Sequence, residues 1–90
     1  MAVYMVERNL AGIAIDDLAG AQKAAIAKAR EFTEGGTPVR YIRSVFTPES
    51  GRCLCMFEAE KAADVADLNR QAELPFETVT EVLDLPPAAV

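Results

Sequence analysis

The chain opens on an apolar run, Ala2-Val-Tyr-Met-Val6, that passes through Glu7 and Arg8 and then meets the breaker-rich segment from Asn9 to Gly12. β-Branched and aromatic residues suit a pleated surface, so residues 2–8 are predicted as a strand. The period then changes. Leu18, Ala21, Ala25, Ala29 and Phe32 recur at helical spacing, with Lys23, Arg30, Glu31 and Glu34 opposite, which predicts a helix over 17–33. Asp16 or Asp17 is the expected N-cap, both carboxylates favour the positive end of the helix dipole, and Gly35-Gly36 supplies the stop.

Two further strand-like runs, Val39 to Phe46 and Arg52 to Glu58, flank Thr47-Pro-Glu-Ser-Gly51. The early Pro and final Gly suit a type I turn closed by a residue at positive φ, which makes the pair a hairpin. A second helix over 60–73 gathers Ala62, Val65, Ala66, Leu68, Asn69 and Ala72 on one side, and Pro75 lies beyond it. A last strand is predicted over 77–85, and residues 86–90 form a short Pro-rich tail. The order β-α-β-β-α-β predicts one α+β domain over residues 1–85 with a ferredoxin-like fold. Val3 and Met5 point away from Tyr4 and Val6, and Leu54 and Met56 away from Cys53, Cys55 and Phe57, so neither sheet face is polar. Two helices cover one face only. A second copy is the simplest cover for the other, which predicts a homodimer of the dimeric α/β barrel type.

Composition strengthens the oligomer expectation. A chain of 90 residues buries only roughly 60–65% of its unfolded surface, and this one is 51% hydrophobic. The net charge of −5 disfavours nucleic acid, whose phosphates need a basic face. No apolar stretch approaches the ~18 residues of a membrane span, and no signal-like segment opens the chain, so a cytoplasmic location is expected.

Candidate chemistry is sparse. Asn69 falls inside the second helix's apolar stripe, where an unpartnered amide costs about 1–3 kcal/mol; it is either tied to neighbouring backbone or water, or faces a ligand in a cavity between helix and sheet. Gln22, at the edge of the first stripe, either faces the same space or, as edge positions more often do, reaches solvent, and Glu7, with Glu58 and Glu81, is an acidic candidate at a strand end. Arg40 and Arg43 bracket Tyr41 and either receive a carboxylate or defend an edge strand. Cys53 and Cys55, alternate residues of one strand, hold their Cβ atoms ~7 Å apart against a disulfide's ~3.8 Å, so reduced thiols are expected. With no histidine in the chain, neither a Ser/His/Asp nor a Cys/His arrangement is available, and no cofactor or metal centre is expected.

Met5-Val-Glu-Arg8 before a loop, Pro48-Glu-Ser-Gly51 in the hairpin, Cys55-Met-Phe-Glu-Ala59 and Asn69-Arg-Gln-Ala72-Glu-Leu-Pro75-Phe76 carry a resemblance that runs from Val3 to Leu85. The chain resembles a family of small bacterial nickel-binding-protein-like domains of unknown function. The resemblance implies a ferredoxin-like protomer and a homodimer. Metal-binding members place histidines around the end of the second helix, and the matching positions here are Asn69 and Leu74, so no nickel site of that kind is expected. The reading is a non-catalytic homodimer that binds a small ligand or a metal. Its alternatives are a cofactor-independent isomerase or monooxygenase of the dimeric α/β barrel type, and an interaction module.

Overall fold

Alternation in the two central strands decides which way the sheet faces. Tyr4, Val6 and Arg8 of β1 (Ala2–Asn9) are buried, as are Cys53, Cys55, Phe57 and Ala59 of β3 (Arg52–Ala59), while the residues between them are only half-buried. The computed structural model describes residues 1–89; of the expected tail at 86–90, Val90 lies outside the described residues. β2 (Val39–Thr47) and β4 (Thr78–Val82) are the edges of an antiparallel sheet in the order β2-β3-β1-β4. Helices α1 (Ile15–Glu34) and α2 (Ala62–Gln71) pack on one face of it. This is a four-stranded α+β sheet-and-helix architecture consistent with a ferredoxin-like fold. The core is Tyr4, Val6, Val39, Cys53, Cys55, Phe57 and Ala59 from the sheet, Ala25 and Ala29 from α1, and Val65 and Leu68 from α2.

The helix boundaries correct the sequence reading. Neither Asp16 nor Asp17 is the N-cap of α1: Ala14 holds that place with extended backbone and no side-chain cap, and both aspartates sit in the first turn, where the dipole still favours them. α2 is shorter than the predicted 60–73, running from an N-cap at Lys61 to a C-cap at Ala72. Glu73 takes φ 58, which turns the chain out of the helix before Pro75. The last strand covers only Thr78–Val82 because its sole neighbour, β1, offers partners from Val3 to Glu7.

Two backbone features set the positions of nearby side chains. Gly51 closes the hairpin at φ 78, its N–H donating to the Thr47 carbonyl at 2.8 Å, and a Cβ there would lie 2.3 Å from Ala11 Cα. The turn is thereby fitted against the β1–α1 loop. In β2, Tyr41 pairs with Phe57 but Arg43 pairs with Met56, so Ile42 is the extra residue of a bulge. Arg40 and Arg43, three apart and otherwise on opposite faces, both come to the face away from the helices. Tyr41 and Ser44 both come to the helix face.

Candidate functional site

The bulge in β2 assembles a line of polar groups across the covered face. Gln22 Nε2 of α1 donates to the Tyr41 hydroxyl at 3.0 Å, Tyr41 OH and Ser44 Oγ are 2.5 Å apart, and Ser44 Oγ donates to Cys55 Sγ at 2.9 Å. With the Ser44 hydrogen given to sulfur, the Tyr41 hydrogen goes to Ser44, so each donor points inward. Tyr41 is held from behind by Phe57, edge to face at 5.5 Å between centroids. Cys55 Sγ lies 3.7 Å from Cys53 Sγ. The strand spacing suggested thiols held apart; their side chains instead turn toward one another.

Arg8 ends the line. It pairs across the ladder with Cys53, is 3% exposed, and donates from Nη1 to the Pro75 carbonyl at 3.2 Å. No carboxylate pairs with it among the described residues. Burial and the neighbouring Cys55 push the Cys53 thiol up to about 11, with Arg8 pulling the other way, so Cys53 is protonated at neutral pH. Sequence reading passed over Arg8, although its parity with Tyr4 and Val6 is the signal that places it inside.

A second feature lies at the sheet edge. Between α1 and β2 runs a groove of about 520 Å³ with apolar walls of Ile26, Ala29, Val39 and Tyr41 and with Arg30, Arg40, Thr33 and Glu34 around them. Arg40 lies at the same edge but turns to the uncovered face of the sheet, where its Nε donates to Glu58 at 3.2 Å, so Arg30 is the cation on the helix side. Cation and apolar wall together suit a small carboxylate with an apolar body.

The three residues singled out in the sequence do not converge. Asn69 is fully buried, its Nδ2 donating to the Val65 carbonyl one turn back at 2.8 Å, while Oδ1 has no partner among the described residues. Gln22, which could share that space or reach solvent, takes the solvent-reaching position and bonds to Tyr41. Glu7 is on the other face of the sheet, accepting from Thr78 Oγ1 at 2.9 Å and lying 3.9 Å from Arg52.

That other face carries the apolar side chains the helices leave uncovered. Val3, Met5, Leu54 and Met56 are half-buried, Val45 is exposed, and Arg40, Arg43, Arg52, Glu7 and Glu58 surround them. Arg43 Nη2 meets Asp84 Oδ1 at 2.8 Å, although β2 and β4 are opposite edges. The segment after β4 is therefore drawn back across this face, with Leu83 and Leu85 exposed on either side of the ion pair.

The family model described as nickel responsive protein SCO4226-like matches residues 4–82. A solved structure titled "Crystal structure analysis of SCO4226 from Streptomyces coelicolor A3(2)" is similar at 25% identity and a TM-score of 0.78, over 92% of this chain and 99% of that one. None of the curated proteins matches the chain.

Proposed function

The chain belongs to the SCO4226-like family of nickel responsive proteins, and from that premise we propose that it is a non-catalytic binding protein acting as a homodimer. Its ligand is a small carboxylate with an apolar body. The observation that carries this reading is the α1–β2 groove, where Ile26, Ala29, Val39 and Tyr41 offer apolar contact beside Arg30. The chain has no histidine and no group in the groove is placed as nucleophile and base together, which favours binding over turnover.

The second copy covers the open sheet face. Val3, Met5, Val45, Leu54, Met56, Leu83 and Leu85 are apolar and incompletely covered, and the charges beside them are of both signs. A two-fold axis can then set Arg opposite Glu rather than like against like. Nickel is a poorer fit. No imidazole exists in the chain, and no three His, Cys, Asp or Glu residues gather as a metal cluster among the described residues.

Calorimetric titration with hexanoate and phenylacetate, on protein whose mass is followed by sedimentation at micromolar concentration, tests both parts. Saturable binding to a dimer, weakened at least about tenfold by Arg30→Glu, is the expected result. A monomer, or binding indifferent to Arg30, removes the corresponding part.

A further inference from the structure

The covered face holds a feature that the proposed groove leaves unused. Two thiols, 2% and 5% exposed, stand 3.7 Å apart in sulfur separation inside the core. The hydrogen-bonded chain that reaches them donates toward sulfur: Ser44 to Cys55 at 2.9 Å, and behind Ser44 the Tyr41 and Gln22 donors in line. Opposite Cys53 on the ladder stands Arg8, a buried cation whose hydrogen bond is to the neutral Pro75 carbonyl. A buried guanidinium without an anion costs several kcal/mol, and hydrogen-bond donors aimed at neutral thiols gain little. Both arrangements favour negative charge on sulfur and oppose, without overcoming, the burial that keeps Cys53 protonated in the absence of a cation.

We propose that Cys53 and Cys55 form a two-coordinate thiolate site for a soft monovalent cation of the copper(I) class, with Arg8 as its buried countercharge. Binding breaks both S–H bonds, forms two metal–sulfur bonds and releases two protons, with no change of oxidation state. Two thiolates and one monovalent cation leave one net negative charge, which Arg8 balances. Two ~2.3 Å metal–sulfur bonds span ~3.8 Å at a tetrahedral angle and ~4.6 Å when collinear. The observed 3.7 Å therefore needs to open by less than an ångström.

Donor chemistry selects the ion. Soft thiolates prefer copper(I), whereas zinc requires four ligands and nickel(II) a square or larger set, and this pocket offers two sulfurs. A disulfide is the competing fate of the pair. It requires Cβ atoms ~3.8 Å apart, about half the ~7 Å between alternate residues of a strand, so β3 has to buckle to form it. A bridging cation leaves the strand intact. Tyr41, which also lines the α1–β2 groove, is joined to Cys55 through Ser44.

The site is independent of the carboxylate proposal, and its test uses a different readout. The reduced full chain is titrated anaerobically with copper(I) against a chromophoric copper(I) chelator, and the product is weighed by native mass spectrometry. The expected result is one ion per chain with the loss of two hydrogens, a thiolate-to-copper band in the near ultraviolet, and no displacement by nickel(II). Cys53→Ser and Cys55→Ser are expected to weaken binding by more than about 100-fold, and Arg8→Gln by about tenfold with recovery in Arg8→Lys. Circular dichroism of each variant confirms its fold, and the proton count on the unaltered chain stands even if a variant unfolds. Equal affinity in the serine variants, fewer than two protons released, or conversion to a disulfide in place of uptake overturns the site.

Discussion

The two strand-helix-strand halves end their helices in the same way with different residues. After α1, Thr37 N–H reaches the Phe32 carbonyl at 2.9 Å and Gly36 N–H the Thr33 carbonyl at 3.1 Å; after α2, Leu74 reaches Asn69 and Glu73 reaches Arg70, both at 3.0 Å. Both are Schellman closures, whose turning residue must adopt a left-handed conformation. Gly36 does so at φ 99 and Glu73 at φ 58. The helices differ as much. α1, of 20 residues, buries only Ala25 and Ala29, whereas α2, of 10, buries Val65, Leu68 and Asn69. A long helix spreads its contact over small side chains. A short one concentrates it.

The largest test of that contrast is Leu68→Ala. Leu68 is fully buried, and emptying its place is expected to cost about 2–5 kcal/mol through lost transfer energy and a residual cavity. Ala29→Gly on α1 has almost nothing to remove and is expected to cost about 1 kcal/mol, mainly through helix propensity. Urea unfolding of both variants measures the difference. Equal losses abolish the distinction between the helices.

What the sequence made legible divides along the same line. Periodicity located both helices and all the strands, because alternation and the 3.6-residue stripe are set by burial, and it placed Asn69 correctly inside. It erred where geometry departs from periodicity. A one-residue bulge at Ile42 reverses the parity of β2, so Tyr41 and Ser44 reach the covered face together with no compositional signal. Rotamers bring the Cys53 and Cys55 sulfurs to 3.7 Å, which strand spacing alone disguises. Glu73 ends α2 at a position where sequence rules look for glycine. Arg8 was legible by parity, yet charge argues so strongly for the surface that parity alone did not carry it.

Cys53, from the second half, gives the next effect. Its thiol is pushed from an ordinary 9.0 up to about 11 by burial and by Cys55, so between these values the unfolded chain has lost a proton that the folded chain keeps. Stability contributed by this thiol is full below pH 9 and falls as pH rises toward 11, by on the order of 2 kcal/mol in the limit. Urea midpoints from pH 8 to 11 in the unaltered chain and in Cys53→Ser measure it. The variant should lose less stability over the window, and parallel slopes would show that the buried thiol is not the source.

Asn69 sharpens the account of α2. Its Nδ2 bond to Val65 offsets part of the burial cost, but Oδ1 lacks a partner among the described residues. Asn69→Ala is expected to cost roughly 1–3 kcal/mol, because a hydrogen bond and packing are lost together. Asn69→Leu keeps the branched heavy-atom shape, although its methyl groups are bulkier, and removes the orphaned acceptor, so it should cost less than Ala. If Leu is the worse substitution, the acceptor has a satisfied role that the apolar stripe conceals.

The smallest effect has the opposite sign. A side-chain-bearing residue in the left-handed region is disfavoured by roughly 1–2 kcal/mol, and glycine returns part of that through its larger unfolded-state entropy. A carboxylate just past the helix end also opposes the negative pole of the dipole by a few tenths of a kcal/mol. Glu73→Gly is therefore expected to stabilise the chain by about 1 kcal/mol, whereas Gly36→Ala, which introduces a Cβ at φ 99, should destabilise it by a similar amount. Glu73→Gln separates the two contributions, since it removes the charge and keeps the backbone penalty. Thermal melting should then place Gln near the unaltered protein and Gly above both. A glycine variant no more stable than the glutamine one means that contacts of Glu73 outweigh its backbone strain, and that the two helix ends differ in more than their turning residue.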